Sequence, residues 1–332
     1  MKPKVYLAVT IDTECDKGLK WKVQQPLKFK AITESVPHFF QPLFNKLGVK
    51  ATYLLSPEVI RDEKCVEVLT NTLKEGAELG THLHTEFIEP EINLEASFTK
   101  ERQNSLNPDL EFLKLKNLTD LFISKFHFAP KSFRAGRFSI SNYTLGFLDK
   151  LGYEVDSSVV PNKYVIDSDG SIGHNFIGSP RQPYYPSEND PIKPGNLNIL
   201  QIPVSTNFSI VDKLPASLKK IWHLQNKWVY AIKYPIKKKL RTVLLRPTGS
   251  KINLEEQFKI IEDYISKGES VYFVMMFHNV DFIPGCSPYA KTEADQEKYV
   301  QNLTKIIEKI KSYNGEFVTL SEMTKIFKSE NK

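Results

Sequence analysis

The stretch Val271-Tyr272-Phe273-Val274-Met275-Met276-Phe277 is the longest apolar run of the chain, and His278 follows it directly. A continuous apolar run of this length, rich in β-branched and aromatic residues, is typical of a strand that is buried on both faces of a parallel sheet. A second run of the same character, residues 4–11, ends at Asp12. Two such strands followed by ionisable residues predict an α/β fold with functional residues at the strand ends.

Strand and helix patterns alternate between and after these two runs. Further strands are predicted near residues 50–55, 77–82, 131–134, 152–156 and 316–320, and helices near 31–47, 57–74, 97–126, 141–151, 254–267 and 292–312. Such alternation predicts parallel βαβ units. At 332 residues, one barrel with insertions is favoured over an open sheet.

Residues 157–250 interrupt the alternation and are rich in Pro, Gly, Asn and Ser. We interpret them as a long insertion within a single domain that spans residues 1–332, with a strand near 197–204 leading back to the barrel. The formal net charge of +6 arises in the stretch 213–251, which holds eleven Lys and Arg residues and no Asp or Glu. This basic, aromatic stretch suits either a solvated loop or a contact with an anionic membrane or glycan, and no nucleic acid is expected.

The composition, 41% hydrophobic and 25% charged, excludes a disordered or fibrous chain. No apolar run approaches the roughly 20 residues of a spanning helix, and the N-terminal run is too short for a signal peptide. Cys15, Cys65 and Cys286 are too few and too scattered for a disulfide framework or a thiolate metal site. A soluble, cytoplasmic protein is expected, with peripheral contact at the inner face of the membrane left open.

Ionisable residues cluster directly after the predicted strands. Asp12 and Glu14 follow the first strand, and His82 and His84 follow the third. Residues two apart on an extended chain point the same way, so each pair is expected to face one pocket. The other candidates at strand ends are Glu86, Arg134, Arg137, Asp156 and His278.

Imidazoles and carboxylates are the ligands of catalytic divalent metals, and two His with one Glu or Asp leave a position open for water. Each feature also has a structural explanation, since Asp12-Thr13-Glu14 could cap a turn and His278 could be a core histidine. Their joint occurrence on successive strand ends favours catalysis. No Ser or Cys is paired with a base, which favours direct attack by water over a covalent route.

Five segments, in this order, resemble the motifs of the polysaccharide deacetylase family, the NodB-homology superfamily: Ala8–Glu14, Glu78–His84, Phe133–Phe138, Gly152–Ser158 and Met275–Asn279. Leu245-Arg246-Pro247 and Pro284–Tyr289 are similar to a subgroup tied to bacterial surface-polysaccharide clusters. The resemblance covers roughly residues 5–163 and 245–321 and leaves out the basic stretch. It implies an irregular (β/α) barrel of about seven parallel strands and metal-dependent removal of acyl groups from sugars.

The resemblance also implies a role for each matched residue. Asp12 would be the general base, and Glu14 and His82 would be metal ligands. His84 is expected to be the third ligand, with Glu86 as its competitor. The remaining expected roles are general acid for His278, orientation of Asp12 for Arg134, positioning of His278 for Asp156, and substrate contact for Arg137.

The sequence departs from the family pattern at three places. Asp12-Thr13-Glu14 replaces two adjacent aspartates, and His82 and His84 are two residues apart where the family usually has four. The proline that usually follows the third-motif arginine is absent after Arg134. The first change keeps a carboxylate as a possible metal ligand. The second change concerns the affinity for the metal, and the third concerns the shape of the wall that contacts the substrate.

The principal hypothesis is a metal-dependent deacetylase that hydrolyses the N-acyl group of a sugar in glycan or surface-polysaccharide metabolism. It would use one divalent ion, Zn²⁺ by preference, with Co²⁺, Mn²⁺, Ni²⁺ and Fe²⁺ left open. Its partner would be a sugar or polysaccharide, free or lipid-linked. Two alternatives stand beside it: a hydrolase of another amide, formyl or cyclic, and a catalytically inactive sugar-binding scaffold.

Overall fold

The computed structural model describes residues 3–90, 92, 102–166, 172–208, 215, 242–249, 253–268 and 270–331. The strands are β1 Lys4–Thr13, β2 Ala51–Leu55, β3 Glu78–Leu83, β4 Ser132–Ala135, β5 Val155–Asp156, β6 Tyr164–Ile166, β7 Ile172–Asn175, β8 Pro186–Ser187, β9 Asp190–Pro194, β10 Leu200–Gln201, β11 Ser270–His278 and β12 Glu316–Phe317. The helices are α1 Lys30–Thr33, α2 Gln41–Leu47, α3 Pro57–Arg61, α4 Glu63–Leu73, α5 Pro108–Phe126, α6 Thr144–Lys150, α7 Leu254–Ile265, α8 Glu293–Lys311 and α9 Leu320–Glu330. A π-helical turn, Val36–Phe40, joins α1 to α2.

The central sheet runs in the order β10-β5-β4-β3-β2-β1-β11, with β12 also paired to β1, and every pairing is parallel. β11 is buried from Val271 to Phe277, as its apolar run predicts. It pairs with β1 over nine positions, from Lys4 with Ser270 to Asp12 with His278. The predicted α/β barrel of parallel strands is confirmed.

Irregular backbone fills the gap between β10 and β11. Ser205 donates its N–H to the oxygen of Val274, Leu245 donates to Ser205, and Met276 donates to Leu245. These bonds satisfy backbone groups that a barrel edge would otherwise leave unpaired. They also fix the segment that carries Arg246 against the last strand of the barrel.

Several predicted elements are shorter or divided in the structure, and side-chain caps explain two of these differences. The helix expected over 57–74 is divided into α3 and α4 at Asp62, whose extended backbone ends α3 and whose side chain caps α4 through the N–H of Cys65 at 2.9 Å. The strand expected over 316–320 is only β12, because the side chain of Thr319 accepts the N–H of Glu322 and begins α9. In both cases a side-chain cap competes successfully with the apolar pattern.

The region 157–250 contributes two small antiparallel hairpins, β6 with β7 and β8 with β9, before β10 rejoins the sheet beside β5. Most of the basic stretch 213–251 lies outside the described residues, so the interpretations of that stretch and the single-domain division stay predictions. No helix in the described ranges has the length and apolar character needed to cross a membrane. Cys15, Cys65 and Cys286 are buried and free.

Candidate metal centre and active site

The candidate site lies at the carboxyl ends of the central strands, where a parallel barrel presents its functional side chains. Asp12 on β1 is the register partner of His278 on β11. His82 on β3 is likewise the register partner of Arg134 on β4. Strand pairing thus brings together residues that are far apart in the sequence.

Three of the expected ligands form one buried group. Glu14, His82 and His84 each offer a ligand atom within 4.8 Å of the others. Glu14 Oε1 lies 3.2 Å from His82 Nε2 and 3.0 Å from His84 Nε2. The structure therefore places these three side chains where they could share one metal ion.

The hydrogen positions of the two imidazoles follow from their neighbours. His82 Nδ1 lies 2.9 Å from the backbone oxygen of Arg134, which can only accept, so Nδ1 carries the hydrogen. His84 Nδ1 lies 3.4 Å from Glu86 Oε1 and is oriented in the same way. Both Nε2 atoms therefore face the Glu14 carboxylate. If both rings were neutral, their Nε2 lone pairs would point at the carboxylate oxygens and repel them. This arrangement needs a proton shared between nitrogen and oxygen, or a cation between them. An oxygen acceptor at Nδ1 of each imidazole is also the usual setting of a metal-binding histidine.

The charges around this group keep Glu14 ionised. Burial alone would raise the pKa of Glu14, but Lys17 and the two imidazoles hold it well below its ordinary value. Lys17 Nζ lies 2.8 Å from Glu14 Oε2, and both side chains are buried. Burial would lower the pKa of His84, whereas Glu14 and Glu86 raise it to about 9. In the metal-free protein His84 is therefore protonated at neutral pH, and a metal ion must displace that proton.

Glu86, the competitor for the third ligand position, lies behind His84. Its carboxylate contacts His84 Nδ1 and accepts from the guanidinium of Arg137 at 2.6 and 3.3 Å. Among the described residues, the compact ligand group contains His84 and not Glu86. Arg137 lines the same cavity, but its substrate contact stays a prediction.

Asp12 is buried beside Arg134, the side chain that was expected to orient it. Arg134 Nη1 donates to Asp12 Oδ1 at 2.6 Å, and the other guanidinium donors reach Thr10 Oγ1 at 2.9 Å, Ser157 Oγ at 3.0 Å and Ser157 O at 2.8 Å. Burial would raise the pKa of Asp12, but Arg134 and the nearby imidazoles hold it below its ordinary value. Asp12 is therefore an ionised acceptor at neutral pH, fixed in one orientation.

His278 also lies near the ligand group, on the strand next to that of Asp12. Its Nε2 lies 3.9 Å from Glu14 Oε1, and its Nδ1 lies 3.6 Å from Asp281 Oδ2. The same Asp281 oxygen accepts the backbone N–H of His278 at 3.1 Å and the hydroxyl of Thr248 at 2.8 Å. Burial would lower the pKa of His278, but Asp281, Glu14 and Asp12 raise it. A raised pKa favours the protonated imidazole, which is the form that a general acid requires.

Asp156 does not occupy the position that was expected for it. Its carboxylate accepts the N–H and the hydroxyl of Ser158 at 2.9 and 2.6 Å. In the described part of the chain, the carboxylate at His278 Nδ1 is Asp281. The expectation that Asp156 positions His278 is therefore corrected, because β5 and β11 are not neighbours in the sheet order.

The sequence reasoning missed Asp281, Lys17 and the part that Asn279 plays. Asn279 Nδ2 donates to the backbone oxygen of Glu14, and Asn279 Oδ1 accepts the backbone N–H of Glu14, both at 2.9 Å. The usable signal for Asp281 was its place three residues after a strand-end histidine, the spacing of a capping pair. Lys17, three residues after Glu14, follows a spacing too common to have been singled out.

Gly136 explains part of the third motif. A Cβ atom at this position would lie 2.5 Å from the oxygen of Leu83 and 3.1 Å from the ring of His84. The close approach of this backbone to β3 therefore requires glycine. Any larger residue would displace the His84 imidazole from the ligand group.

The site opens into a cavity of about 440 Å³. Its wall combines the ionisable groups described above with Trp21, Phe138 and Tyr289. Trp21 packs edge-on against His278, with ring centres 5.0 Å apart. A cavity that combines aromatic faces with a few convergent polar groups suits a small ring such as a sugar.

Comparison with solved structures identifies the class of fold. The chain resembles the proposed polysaccharide deacetylase from Mycobacterium smegmatis with a TM-score of 0.52 and 10% identity, over 99% of this chain and 92% of that one. It also resembles a branching enzyme of the GH57 type from Pyrococcus horikoshii, with a TM-score of 0.50 and 12% identity, over 98% of this chain and 71% of that one. The chain therefore has the barrel fold that these proteins share.

No model of a known protein family matches the chain, and no curated protein sequence matches it. Because the structural likeness extends to a deacetylase and to a branching enzyme, the fold does not by itself decide the reaction. The side chains at the strand ends carry that argument.

Proposed function

We propose that this protein is a metal-dependent hydrolase that removes the acyl group from the nitrogen of an amino sugar. The observation that carries the proposal is the buried group of Glu14, His82 and His84, flanked by Asp12 and His278. Amide hydrolysis needs a base for water, an electrophile for the carbonyl oxygen and an acid for the departing nitrogen. The name of the Mycobacterium smegmatis relative, a proposed polysaccharide deacetylase, points to the same reaction.

The ligand group would hold one divalent ion, and the preference for Zn²⁺ rests on the two imidazoles and one carboxylate. When bound, such an ion polarises a carbonyl and lowers the pKa of water. Glu14 would be its anionic ligand, fixed by Lys17 on one oxygen and by Asn279 along its backbone. His82 and His84 would bind through Nε2, since each Nδ1 faces an oxygen acceptor.

Asp12 would accept the proton of the attacking water. Arg134 holds it ionised and in one rotamer, so Asp12 is ready before the substrate arrives. His278 would give its proton to the leaving nitrogen, with Asp281 behind it to support the charged imidazole. A base and an acid on adjacent strands, next to the ligand group, fit the two proton transfers of amide hydrolysis.

The test is Asp12→Asn, assayed for acetate release from N-acetylated hexosamines and chitooligosaccharides together with metal content. We expect the metal content to stay near that of the native protein and the rate to fall at least about 10²-fold, the usual lower range for a general base. His82→Ala is the matched variant that should lose the metal as well. Full activity in Asp12→Asn would overturn the assignment.

The two alternatives give different results in the same assay. Release of formate in place of acetate would identify a hydrolase of another amide. Glycan binding without turnover, unchanged by Asp12→Asn, would identify a sugar-binding scaffold. Asp12 is ionised, and the pKa of His278 on the neighbouring strand is raised. This pair favours the hydrolase, because sugar binding alone does not need an acid and a base at one centre.

We also keep the proposal that residues 213–251 contact an anionic surface, since eleven basic residues lie there without an acidic one. Binding to vesicles with anionic lipid should then weaken as salt rises, because screening shortens the reach of the charges. No binding at low salt would remove the membrane version. A lipid-linked substrate and a cytoplasmic location at the membrane both depend on that result.

A further inference from the structure

Basic side chains collect at one wall of the catalytic cavity, away from the acids of the ligand group. Lys163 lines this wall, with its Nζ 4.8 Å from the centre of the Phe138 ring. Within the described part of the chain, no carboxylate or other acceptor lies at hydrogen-bond distance from Lys163 Nζ. A partly buried ammonium group with only an aromatic face as its neighbour is incompletely satisfied.

Two guanidinium groups stand near Lys163. Burial, and then the charges of Arg246 and Arg102, lower the pKa of Lys163 to about 8. Arg246 packs its guanidinium carbon 5.7 Å from the centre of the Tyr289 ring, which lines the cavity. Like charges held together are unfavourable unless an anion joins them.

His174 adds a neutral donor to the same wall. Its ring is 4% exposed, stacks on Phe176 at 5.0 Å, and lines the cavity beside Lys163. Neither ring nitrogen has a hydrogen-bond partner among the described residues. Burial, then Lys163 and Arg102, lower the pKa of His174 to about 3, so its ring is neutral and offers one N–H and one lone pair. A buried polar side chain without a partner, aimed into a cavity, indicates a ligand that supplies one.

We propose that Lys163 and His174 form an anion subsite of the catalytic cavity that binds a phosphoryl group carried by the acylated sugar. The proposal rests on the proposed function for the identity of the sugar, but not for the binding of the anion. A phosphoryl group matches this wall better than a carboxylate, because it carries up to two charges and three acceptor oxygens. The substrate class is therefore a phosphorylated N-acyl amino sugar or a phosphate-linked glycan.

The first experiment is titration of the purified protein with inorganic phosphate by calorimetry. Lys163→Gln should raise the Kd about tenfold or more, the usual effect of losing one charge-assisted hydrogen bond. Lys163→Arg should keep the binding. Lys150→Gln is the matched control, since Lys150 also lies over a phenylalanine ring but outside the cavity, and it should change nothing. The titration is repeated in His82→Ala, where phosphate bound at the metal group is lost and phosphate bound at the subsite should remain.

The second experiment compares kcat/KM for N-acetylglucosamine, its 1-phosphate, its 6-phosphate and the corresponding uronic acid. We expect one phosphorylated sugar to exceed the neutral sugar at least about tenfold, and Lys163→Gln to reduce that ratio to near one. Equal phosphate affinity in the native protein and Lys163→Gln would overturn the subsite. A preference for the uronic acid alone would overturn the choice of phosphoryl. Phosphate binding that depends on Lys163, without turnover of any sugar, would support the subsite and count against the proposed function.

Discussion

Replacement of Arg134 by methionine should destabilise the protein in a way that depends on the ionisation of Asp12. Arg134 is fully buried and donates at 2.6 Å to Asp12, with further hydrogen bonds to Thr10 and Ser157. Loss of one partner from a buried ion pair usually costs about 3–5 kcal/mol, because the remaining charge stays desolvated and unpaired. Arg61→Met, at the more exposed pair with Glu89, should cost about 1 kcal/mol or less.

The pH dependence gives the sharper test. In the native protein the pKa of Asp12 is lowered, so its stabilising contribution is present above the unfolded value near 3.8 and is lost as the pH falls through the folded value. Without Arg134, burial raises the pKa of Asp12 in the folded protein above 3.8. The loss of unfolding free energy then grows as the pH rises past 3.8. The loss of unfolding free energy in Arg134→Met should therefore be larger at pH 7.5 than at pH 5.

The measurement is reversible urea unfolding of chelator-treated protein, so that metal binding does not contribute to the stability. Asp12→Asn and the double variant complete a cycle. We expect the double variant to lose at least about 1 kcal/mol less than the sum of the single variants, because no charge remains to be stranded. Additive losses, or an equal loss in Arg134→Met at both pH values, would refute the view that the guanidinium acts chiefly on the Asp12 charge.

Three further predictions concern the groups around the ligands. Asp281→Asn should lower the pKa of His278, because the Asp281 carboxylate raises it. The alkaline limb of the plot of kcat/KM against pH should therefore move to lower pH, and a limb that does not move would exclude His278 as the acid. Metal uptake by chelator-treated protein should strengthen as the pH rises from 6.5 toward about 9, because His84 must lose its proton. Equilibrium dialysis measures the metal affinity, and an affinity that does not change with pH would contradict this prediction. Lys17→Met should lower the Tm of the metal-free protein, since it removes the cation paired with Glu14 Oε2. Added zinc should raise that Tm more than in the native protein, because the ion then supplies the missing positive charge; an equal rise would count against the view that Lys17 offsets the charge of Glu14.

The sequence was sufficient for the alternation of strands and helices along the chain and for much of the ligand group. The apolar run before His278 and the spacing of His82 and His84 are local patterns, and an extended chain fixes which side chains share a face. Parallel strands then place their carboxyl ends at the same end of the barrel, so Glu14 and the two imidazoles were expected to meet. Their meeting follows from the fold class and two-residue periodicity.

Only the tertiary structure decided which partner stands behind each functional side chain. The sequence analysis assigned Asp156 to His278 and missed Asp281. In the strand order β5 is not a neighbour of β11, whereas Asp281 is in the turn that follows β11. The meeting of Lys163 and His174 at one cavity likewise depends on how the chain between β5 and β11 folds back on the barrel. Side-chain contacts between distant segments depend on strand order and loop paths, and neither is encoded in a local pattern.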